Sequence, residues 1–535
     1  MKYIIHALSW REINSSHRLM TAIVLALGVL NFFFGEIVPA GNGLGWDGLT
    51  YANITRNLGP MVTEGQLSNY YAHRILPSAV VRSLLLLSGA SFSDINIIRG
   101  FECYNLVLLV GASWVWRRIA NSFSISLGGR WLGFCGLFLS FMGSKQTFYY
   151  PVLTDTTALF VGLLALLFYV ERRPVALLVT TIVGAFAWQV VSICGALLLM
   201  FPRAELPPEV IAPAKATYSI NSAKLSRLIK FGWVVLLVLS IAGVAGCFRL
   251  ERVLDIARLE RVIAKHGVLW LFDVLANRLG CLLTGLPSLA GATIALAMLA
   301  GSVSFFQVVV ANLRKTRLIQ VVMVLAALLI PWSIVRAISN PVVSNISGFV
   351  AVLHTLLLPQ NGKILLPLVT LAAFWGPVVL LLLLNWKSFC SEARQLGPGF
   401  MAVVGLNLPL GLPTEPRFVT FGWPFFVLGA VLAMEGRTRS ATFKYAFAAL
   451  TILYSQFWMK INLVPWPGGD NEYLFEFPKQ LYLMHLGMWM NWWSYSLQLC
   501  AIALSALWLR STMLRNCSAS GAGISPALSK LSDPD

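Results

Sequence analysis

The chain has 535 residues, of which 57% are hydrophobic and only 12% are charged, and its mean hydropathy is +0.74. Soluble globular proteins carry about 25% charged residues, so this composition excludes a soluble enzyme, a disordered regulator and a disulfide-stabilised secreted domain. The net charge of +18 comes from Lys and Arg in short clusters between apolar segments, which is typical of cytoplasmic loops rather than of nucleic-acid binding. We therefore predict an all-α polytopic membrane protein without a nucleic-acid partner.

Eleven apolar segments come close to the length of about 20 residues that crosses the hydrocarbon core of a bilayer. No cleavage pattern of small residues follows the first of them, so it is interpreted as a retained span rather than a signal peptide. The eight cysteines show no CxxC spacing, so neither a zinc site nor a disulfide framework is predicted. The segments are 19–38, 97–116, 130–148, 152–170, 231–247, 282–311, 318–335, 364–384, 418–434, 445–461 and 486–509.

Two further apolar segments are ambiguous. Residues 400–412 are short and contain Pro409, and residues 174–201 form either one long span or two short ones that meet near Trp188 and Gln189. With two short spans, about 24 Lys and Arg residues fall on inner segments and about 12 on outer loops, whereas one long span gives about 17 and 19. The positive-inside rule therefore favours two, which gives about 14 transmembrane helices (12–14) with both termini in the cytoplasm.

This topology divides the chain into a cytoplasmic N-terminus (1–18), a single transmembrane domain (19–515) and a tail (516–535). The tail is rich in Ser, Ala, Gly and Pro, and we expect it to be disordered and cytoplasmic. A bacterial inner membrane is the location that we expect. The outer face has a long first loop (39–96) with an apolar stretch at 75–88 that is suited to an interfacial helix. It also has an amphipathic segment (248–283) and a loop (462–485).

Two groups of candidate site residues lie in the first outer loop. Asp47 stands between a tryptophan and a glycine just after the first span, where a carboxylate could act as a general base on a sugar hydroxyl or make a local turn hydrogen bond. Further along, Arg74 could bind a phosphate with its planar fork, and Tyr70 or Tyr71 could stack on a sugar, with His73 between them and Arg74. The same group could also be an ordinary aromatic and basic interface anchor.

Two more groups lie at predicted outer turns later in the chain. Asp155 opens a span shortly after Lys145 ends the preceding one. It could face the same cavity as Asp47, with Lys145 as its counter-charge or as a phosphate contact. Alternatively, Thr154 or Asp155 could cap the helix. Glu415 and Arg417 flank a proline in a tight turn, where they could be a structural ion pair or hold an anion.

These patterns resemble the C-type glycosyltransferase superfamily. The resemblance lies in a long first outer loop with Asp47 soon after span one, a Tyr-Pro-x-x-Thr-Asp turn that ends at Asp155, and a Glu-x-Arg…Pro turn around Arg417. It implies an integral membrane enzyme that moves a sugar from a polyprenyl-phosphate carrier to a glycan, lipid or protein acceptor at the outer membrane face. By this resemblance Asp47 takes the place of the first-loop catalytic carboxylate, Asp155 that of a second acidic residue, and Arg417 would contact the carrier phosphate.

The sequence departs from the pattern of that superfamily at one position. Many members carry two adjacent acidic residues in the first loop, whereas here Gly48 follows Asp47. A single carboxylate holds a divalent cation poorly, so no metal or other cofactor is expected to be required. The implied chemistry is direct displacement at the anomeric carbon, with Asp47 as base and with Arg417, Arg74 or Lys145 stabilising the departing phosphate.

Other functions remain open on the sequence alone. An O-antigen polymerase or ligase would suit the six cations of 248–283, since such enzymes expose basic outer loops to pyrophosphate-linked lipids. A transporter or flippase would place ionisable residues at the bilayer midplane on interrupted helices, often with a repeated half. The sequence shows few charges at span centres and no such repeat.

Overall fold

The regular structure of this chain is helical. The computed structural model describes residues 2–203, 287–300, 317–340, 363–413, 415–436, 438, 440–462 and 490–521, and no strand occurs in these ranges. In chain order the helices are α1 (Lys2–Phe34), α2 (Trp46–Thr63), α3 (Asn69–Ala72), α4 (Ile75–Ser88), α5 (Asp94–Ser122), α6 (Leu127–Phe138), α7 (Thr147–Tyr149), α8 (Asp155–Val170), α9 (Pro174–Gly184), α10 (Val191–Met200), α11 (Pro287–Ala300), α12 (Leu318–Ile338), α13 (Leu366–Trp375), α14 (Pro377–Leu396), α15 (Pro398–Leu410), α16 (Trp423–Met434), α17 (Ala441–Ser455) and α18 (Trp492–Gly521).

Four of these helices are long and apolar enough to cross a membrane. They are Ser15–Phe34 of α1, Asp94–Ser122, Leu318–Ile338 and Trp492–Leu514 of α18, and the bent pair α13–α14 would make a fifth. Large apolar side chains on their outer faces are exposed, among them Phe33 and Leu318, as expected where lipid replaces water. The protein is therefore a membrane-embedded helical protein, and the total of about 14 spans stays a prediction.

The segment 174–201 forms two short helices, α9 and α10, that meet at a turn containing Trp188 and Gln189. This confirms the prediction of two short helices rather than one long one. The α9–α10 pair begins and ends beside the C-terminal end of α8. The Arg173 amide donates a hydrogen bond to the Phe168 carbonyl, and the Arg203 side chain donates one to the Val170 carbonyl. Each helix is about 16 Å long at 1.5 Å per residue, so a full crossing by each stays a prediction.

The turn of this hairpin lies against the first outer loop. The Phe186 carbonyl accepts a hydrogen bond from the Leu76 amide at 2.9 Å, and the Ala185 carbonyl lies 3.3 Å from Nδ1 of His73. Both acceptors follow α9, where helix geometry leaves carbonyl groups without intrahelical partners. The hairpin is thereby held at the start of α4.

The apolar stretch at 75–88 is a helix with these bounds, α4, and ends at Gly89 in the left-handed conformation (φ +66°). One side of α4, with Val81 and Leu85, is buried, while Leu84, Leu86 and Leu87 are exposed. An apolar helix of 14 residues that leaves large side chains exposed suits the membrane interface. The structure thus gives the predicted helix, and its interfacial position stays a prediction.

The predicted span 364–384 is broken in the structure. Gly376 has φ +73°, a backbone conformation that favours glycine, and the chain bends there by 119° between α13 and α14. The ambiguous segment 400–412 is the short helix α15, with Pro409 near its end. Hydropathy averaged over a span predicts its apolar length and does not register such a bend, although the dipeptide Gly376-Pro377 at this position is a turn signal.

Other expectations fall partly or wholly outside the described ranges. The amphipathic segment 248–283 and the apolar segment 231–247 lie outside them, as does nearly all of the loop 462–485. The tail was expected to be disordered from residue 516, but α18 continues to Gly521, and the remaining tail residues, 522–535, also lie outside the described ranges. At the other end, α1 begins at Lys2, within the predicted cytoplasmic N-terminus.

A close backbone contact joins α8 to the chain segment that precedes α16. A Cβ atom added to Gly162 would lie 2.2 Å from the carbonyl oxygen of Phe421. Because the obstacle is main chain, a side-chain rotation cannot relieve the clash. This glycine lets the helix that begins at Asp155 approach the turn that carries Arg417.

We predict that Gly162→Ala lowers the free energy of unfolding by about 1–3 kcal/mol, because α8 must move away from Phe421. Gly59→Ala is the matched control, since a Cβ at exposed Gly59 in α2 meets no atom within 4 Å, and a compatible Gly→Ala change is neutral or slightly stabilising. The measurement is unfolding of the purified protein in detergent. Equal midpoints for the two variants would contradict this role of Gly162.

Candidate active site

An ion pair joins the first outer loop to a turn late in the chain. Nη2 of Arg417 lies 3.1 Å from Oδ2 of Asp47, and Nε of Arg417 lies 3.0 Å from Oε2 of Glu415. Burial by itself lowers the pKa of Arg417, but the carboxylates of Glu415 and Asp47 raise it well above its usual value. The guanidinium is therefore a permanent cation held between two carboxylates. The Glu415–Arg417 ion pair is one of the alternatives that the sequence left open, and Asp47 joins it from the first outer loop.

Asp47 is placed by a tyrosine and two glycines. Gly45 has φ +68°, and a Cβ there would lie 2.2 Å from Cζ of Tyr150, so only glycine fits. The Gly48 amide donates a hydrogen bond to Oη of Tyr150 at 3.1 Å. Burial raises the pKa of Tyr150, so this phenol is neutral at pH 7. The turn that begins α2 is thus fixed over the Tyr-Pro-x-x-Thr-Asp segment.

Arg417 is placed by the bend between α13 and α14. It lies in a 3₁₀ helix, Pro416–Val419, whose Pro416 carbonyl accepts a hydrogen bond from Nε1 of Trp375 at 3.0 Å. Trp375 is the last residue of α13 and stacks on Trp423 with ring centroids 4.6 Å apart. Because Trp375 is fully buried, the turn has a rigid support.

Asp155 is buried near the same ion pair. Its side chain begins α8 at 4% exposure, and neither carboxylate oxygen has a hydrogen-bond partner among the residues that the structure describes. Thr154 is the N-cap residue of α8, but its side chain makes no capping hydrogen bond. Capping by the Thr154 side chain, the alternative that the sequence left open, therefore does not occur in this structure. The carboxyl group of Asp155 is one of the groups that interact electrostatically with Arg417, so the two side chains lie within electrostatic reach of one another.

Arg74 is enclosed by aromatic rings. Its guanidinium carbon lies 4.3 Å from the ring centroid of Tyr70 and 4.3 Å from that of Trp188, and Nη1 donates to Oη of Tyr51 at 3.3 Å. The residue is 4% exposed. Cation–π contacts of this kind stabilise a desolvated guanidinium by about 2 kcal/mol. Arg74 also acts electrostatically on Arg417, so the two cations share one region.

The other candidate residues of the first loop are Tyr70, Tyr71 and His73. Burial raises the pKa of Tyr70 and of Tyr71, so both are neutral phenols at pH 7, and their rings meet edge to face at 5.0 Å. The carboxylate of Asp47 acts on both. Burial lowers the pKa of His73, whose Nδ1 contacts the α9–α10 turn. His73 is therefore a neutral anchor of the hairpin in this structure.

Lys145 does not pair with Asp155. Its ammonium nitrogen lies 3.1 Å from Oε2 of Glu36 and donates a hydrogen bond to the carbonyl of Met459. Glu36 also accepts hydrogen bonds from the amides of Ile461 and Asn462. The expectation of a Lys145–Asp155 pair is wrong because Glu36 and the Met459 carbonyl hold the ammonium group. Lys145 lies in a π-helical turn, Met142–Gln146, where the spacing of side chains differs from that of an α-helix.

The site thus combines five sequence-predicted side chains with others that the sequence did not single out. Asp47, Arg74, Asp155, Glu415 and Arg417 come together, whereas Lys145 is engaged elsewhere. Sequence reasoning missed two aromatic residues of the site, Trp188 and Tyr51, because buried aromatic residues are also typical of a core. It also missed Glu36, the partner of Lys145 outside the site, which lies at the end of an apolar segment. An acidic residue at a span end is the one signal that could have found Glu36.

Within the described ranges, no group of three or more His, Cys, Asp or Glu side chains could hold a metal ion. That no metal is required stays a prediction. Comparison of the sequence with known protein families and with curated proteins, and of the fold with solved structures, finds no match. The site must therefore be interpreted from its own geometry.

We predict that Glu36→Gln destabilises the protein by about 3–5 kcal/mol, because it leaves the Lys145 ammonium buried without its counter-charge. The side chain of Lys145 is only 8% exposed. The amides of Ile461 and Asn462 donate to different oxygens of Glu36, and glutamine has one oxygen, so the change also removes one of these two backbone hydrogen bonds. The double variant Glu36→Gln/Lys145→Met should recover part of the loss.

Glu171→Gln is the matched control for this pair. Its partners Arg118 and Arg173 are 50% and 59% exposed, and each such pair contributes about 1 kcal/mol or less. Chemical unfolding in detergent compares the four proteins. If Glu36→Gln and Glu171→Gln shift the midpoint equally, the Lys145–Glu36 pair is not the buried anchor described here.

Proposed function

We propose that this protein is a membrane glycosyltransferase that moves a sugar from a polyprenyl-phosphate carrier to an acceptor hydroxyl. The observation that carries the proposal is the contact between Asp47 and Arg417, 370 positions apart in the chain, at 3.1 Å. Asp155 and Arg74 lie within electrostatic reach of that contact. A carboxylate and cations that converge in this way suit transfer of a group from a phosphate.

In the proposed reaction Asp47 is the general base. Oδ2 is bound to Arg417, and Oδ1 has no hydrogen-bond partner among the described residues, so Oδ1 is the atom that takes the proton of the acceptor hydroxyl. The acceptor oxygen then forms a bond to the anomeric carbon while the bond from that carbon to the phosphate oxygen breaks. The phosphate leaves with the electron pair as an anion, which an arginine stabilises.

Aromatic side chains beside Asp47 provide a surface for the sugar. Tyr70 and Tyr71 are half-buried, and the ring of Tyr71 also meets that of Tyr51 edge to face at 5.5 Å. Stacked or edge-on rings bind the apolar face of a sugar while hydroxyl groups remain free to hydrogen-bond. Donor sugar, acceptor and membrane lipid are thus the proposed partners, with the acceptor a glycan, a lipid or a protein.

The proposed orientation places this site at the outer face. Arg118, Arg172 and Arg173 cluster around Glu171 at the other end of α8 from Asp155, and the positive-inside rule assigns a basic end to the cytoplasm. About 14 spans, both termini in the cytoplasm and a bacterial inner membrane belong to the same proposal. The site then opens to the periplasmic or lumenal side.

A transporter is the second candidate, and the interrupted helices favour it. The α13–α14 pair bends by 119° at Gly376, and the α9–α10 hairpin reaches the same site; discontinuous helices around a charged centre are typical of transporters. Movement of a labelled lipid-linked sugar between the leaflets of a vesicle, without cleavage of its phosphate bond, would favour this candidate. The cations that would favour a polymerase or ligase lie in 248–283, outside the described ranges.

We predict that Asp47→Asn lowers sugar transfer by about a hundredfold to ten-thousandfold, the usual contribution of a general base. In the assay, purified protein is incubated with radiolabelled polyprenyl-phosphate sugars and with membrane extract as the source of acceptor. The label in the product is then measured. The matched control is Glu64→Gln, an exposed carboxylate of the same loop at the far end of α2, which should keep full activity. Near-normal turnover by a well-folded Asp47→Asn variant would refute the assignment.

A further inference from the structure

The site contains two arginines: Arg417 has carboxylates beside it, and Arg74 has aromatic rings beside it. We infer that Arg74, and not Arg417, binds the phosphate of the substrate, and that Trp188 positions it for that task. This assignment rests on the proposed function and deepens it, because it reverses the role that the family resemblance implies for Arg417. It follows from three features: the ion pairs of Arg417, the aromatic enclosure of Arg74 and the hairpin that supplies Trp188.

Arg417 already has two anionic partners. Nε of Arg417 binds Glu415 and Nη2 of Arg417 binds Asp47. The single positive charge of this guanidinium therefore faces two negative charges. A phosphate that approached this group would meet two carboxylates at hydrogen-bonding distance from the same guanidinium, and like charges so close repel strongly. Arg417 is thus a positioning residue for Asp47, holding Oδ2 so that Oδ1 faces the acceptor.

Arg74 has no carboxylate within ion-pair distance among the residues that the structure describes. Its only hydrogen-bond acceptor there is the neutral phenol of Tyr51, and its buried Nε lacks any partner. A buried guanidinium N–H without an acceptor carries the full desolvation penalty of that group. The charge of Arg74 is therefore not cancelled by a partner, and its Nε edge has a donor for an anionic oxygen.

The two rings restrict how an anion can bind Arg74. Tyr70 covers one face of the guanidinium and Trp188 covers the other, each at 4.3 Å, so phosphate oxygens must approach in the plane of the group. In-plane approach is the geometry of bidentate arginine–phosphate recognition. Tyr70 is half-buried whereas Trp188 is 3% exposed, so the Tyr70 side of the guanidinium is the one nearer the accessible surface.

Trp188 is held rigidly behind Arg74. It is 3% exposed and lies in the turn of the α9–α10 hairpin. The hairpin is fixed to the first loop on both sides of Arg74, through His73 to Ala185 and through Leu76 to Phe186. The hairpin thus presents one face of an aromatic ring at a fixed position, and the guanidinium keeps its plane against that ring.

The test measures binding of decyl phosphate, a single-chain lipid phosphate without a sugar, to the purified full-length protein in neutral detergent. Isothermal titration compares two substitutions that both keep the positive charge. Arg74→Lys should weaken binding by about tenfold or more, because lysine lacks the planar fork. Arg417→Lys should stay within about twofold of wild type while lowering sugar transfer. The opposite ranking would overturn the inference.

Two tryptophan variants test the positioning role independently of any change to the arginines. Trp188→Leu removes the cation–π contact and should weaken decyl phosphate binding by about three- to tenfold, whereas Trp188→Phe keeps an aromatic face and should recover most of it. Trp114→Leu is the matched control, because Trp114 is exposed on α5, and it should bind as wild type does. Wild-type affinity in Trp188→Leu would remove Trp188 from this role.

Failure of the inference and failure of the proposed function give different results. Decyl phosphate binding needs no sugar transfer, so an enzyme-inactive wild-type protein whose affinity still depends on Arg74 would refute the glycosyltransferase and leave the phosphate site standing. Conversely, a wild-type protein that transfers sugar while its decyl phosphate affinity depends on Arg417 alone would refute only the assignment to Arg74. Unfolding midpoints of all variants establish that each one is folded before its affinity is compared.

Discussion

The ion pair of Arg417 with Asp47 and Glu415 is the interaction on which the site depends. Charges in a medium of low dielectric constant are costly unless other groups compensate them, and the guanidinium of Arg417 is compensated by the carboxylates beside it. Glu415 is two residues away, but Asp47 comes from the first outer loop, 370 positions earlier. The start of α2 must therefore reach the turn before α16. The requirement for neutrality thus brings two distant parts of the chain together.

Each chain segment that carries a site residue lies next to a break in a helix. At these breaks, side chains form hydrogen bonds with main-chain groups that have no partner within a helix. In a membrane, main-chain groups freed by a break must find partners within the protein. Oη of Tyr150 accepts from the amide of Gly48, and Nε1 of Trp375 donates to the carbonyl of Pro416. His73 contacts the carbonyl of Ala185, and Glu36 accepts from the amides that follow α17. The main-chain groups that these interruptions free are thus satisfied by side chains around the site.

Sequence patterns predicted local elements well and their mutual contacts unevenly. The bounds of α4 and the meeting of two short helices at Trp188 follow from apolar length and loop charge, which are properties of the chain alone. The pairing of Lys145 with Glu36 instead of Asp155 joins distant parts of the chain, and no hydropathy period carries that information. The stacking of Trp188 on Arg74 is absent from the pattern for the same reason. The bend at Gly376 also lies outside hydropathy, although the dipeptide Gly376-Pro377 is a turn signal. Long-range side-chain geometry requires the packed structure.

The two arginines show how one site can hold positive charge in two ways. Carboxylates stabilise a guanidinium by cancelling its charge, so the potential near Arg417 is low. Aromatic faces stabilise a guanidinium through their quadrupole, and a quadrupole leaves the net charge in place. Tyr70 and Trp188 therefore compensate the burial of Arg74 in part while its positive potential persists. A site that must keep a carboxylate as a base and still attract a phosphate needs both arrangements side by side, because one arginine cannot neutralise Asp47 and also remain an uncancelled cation.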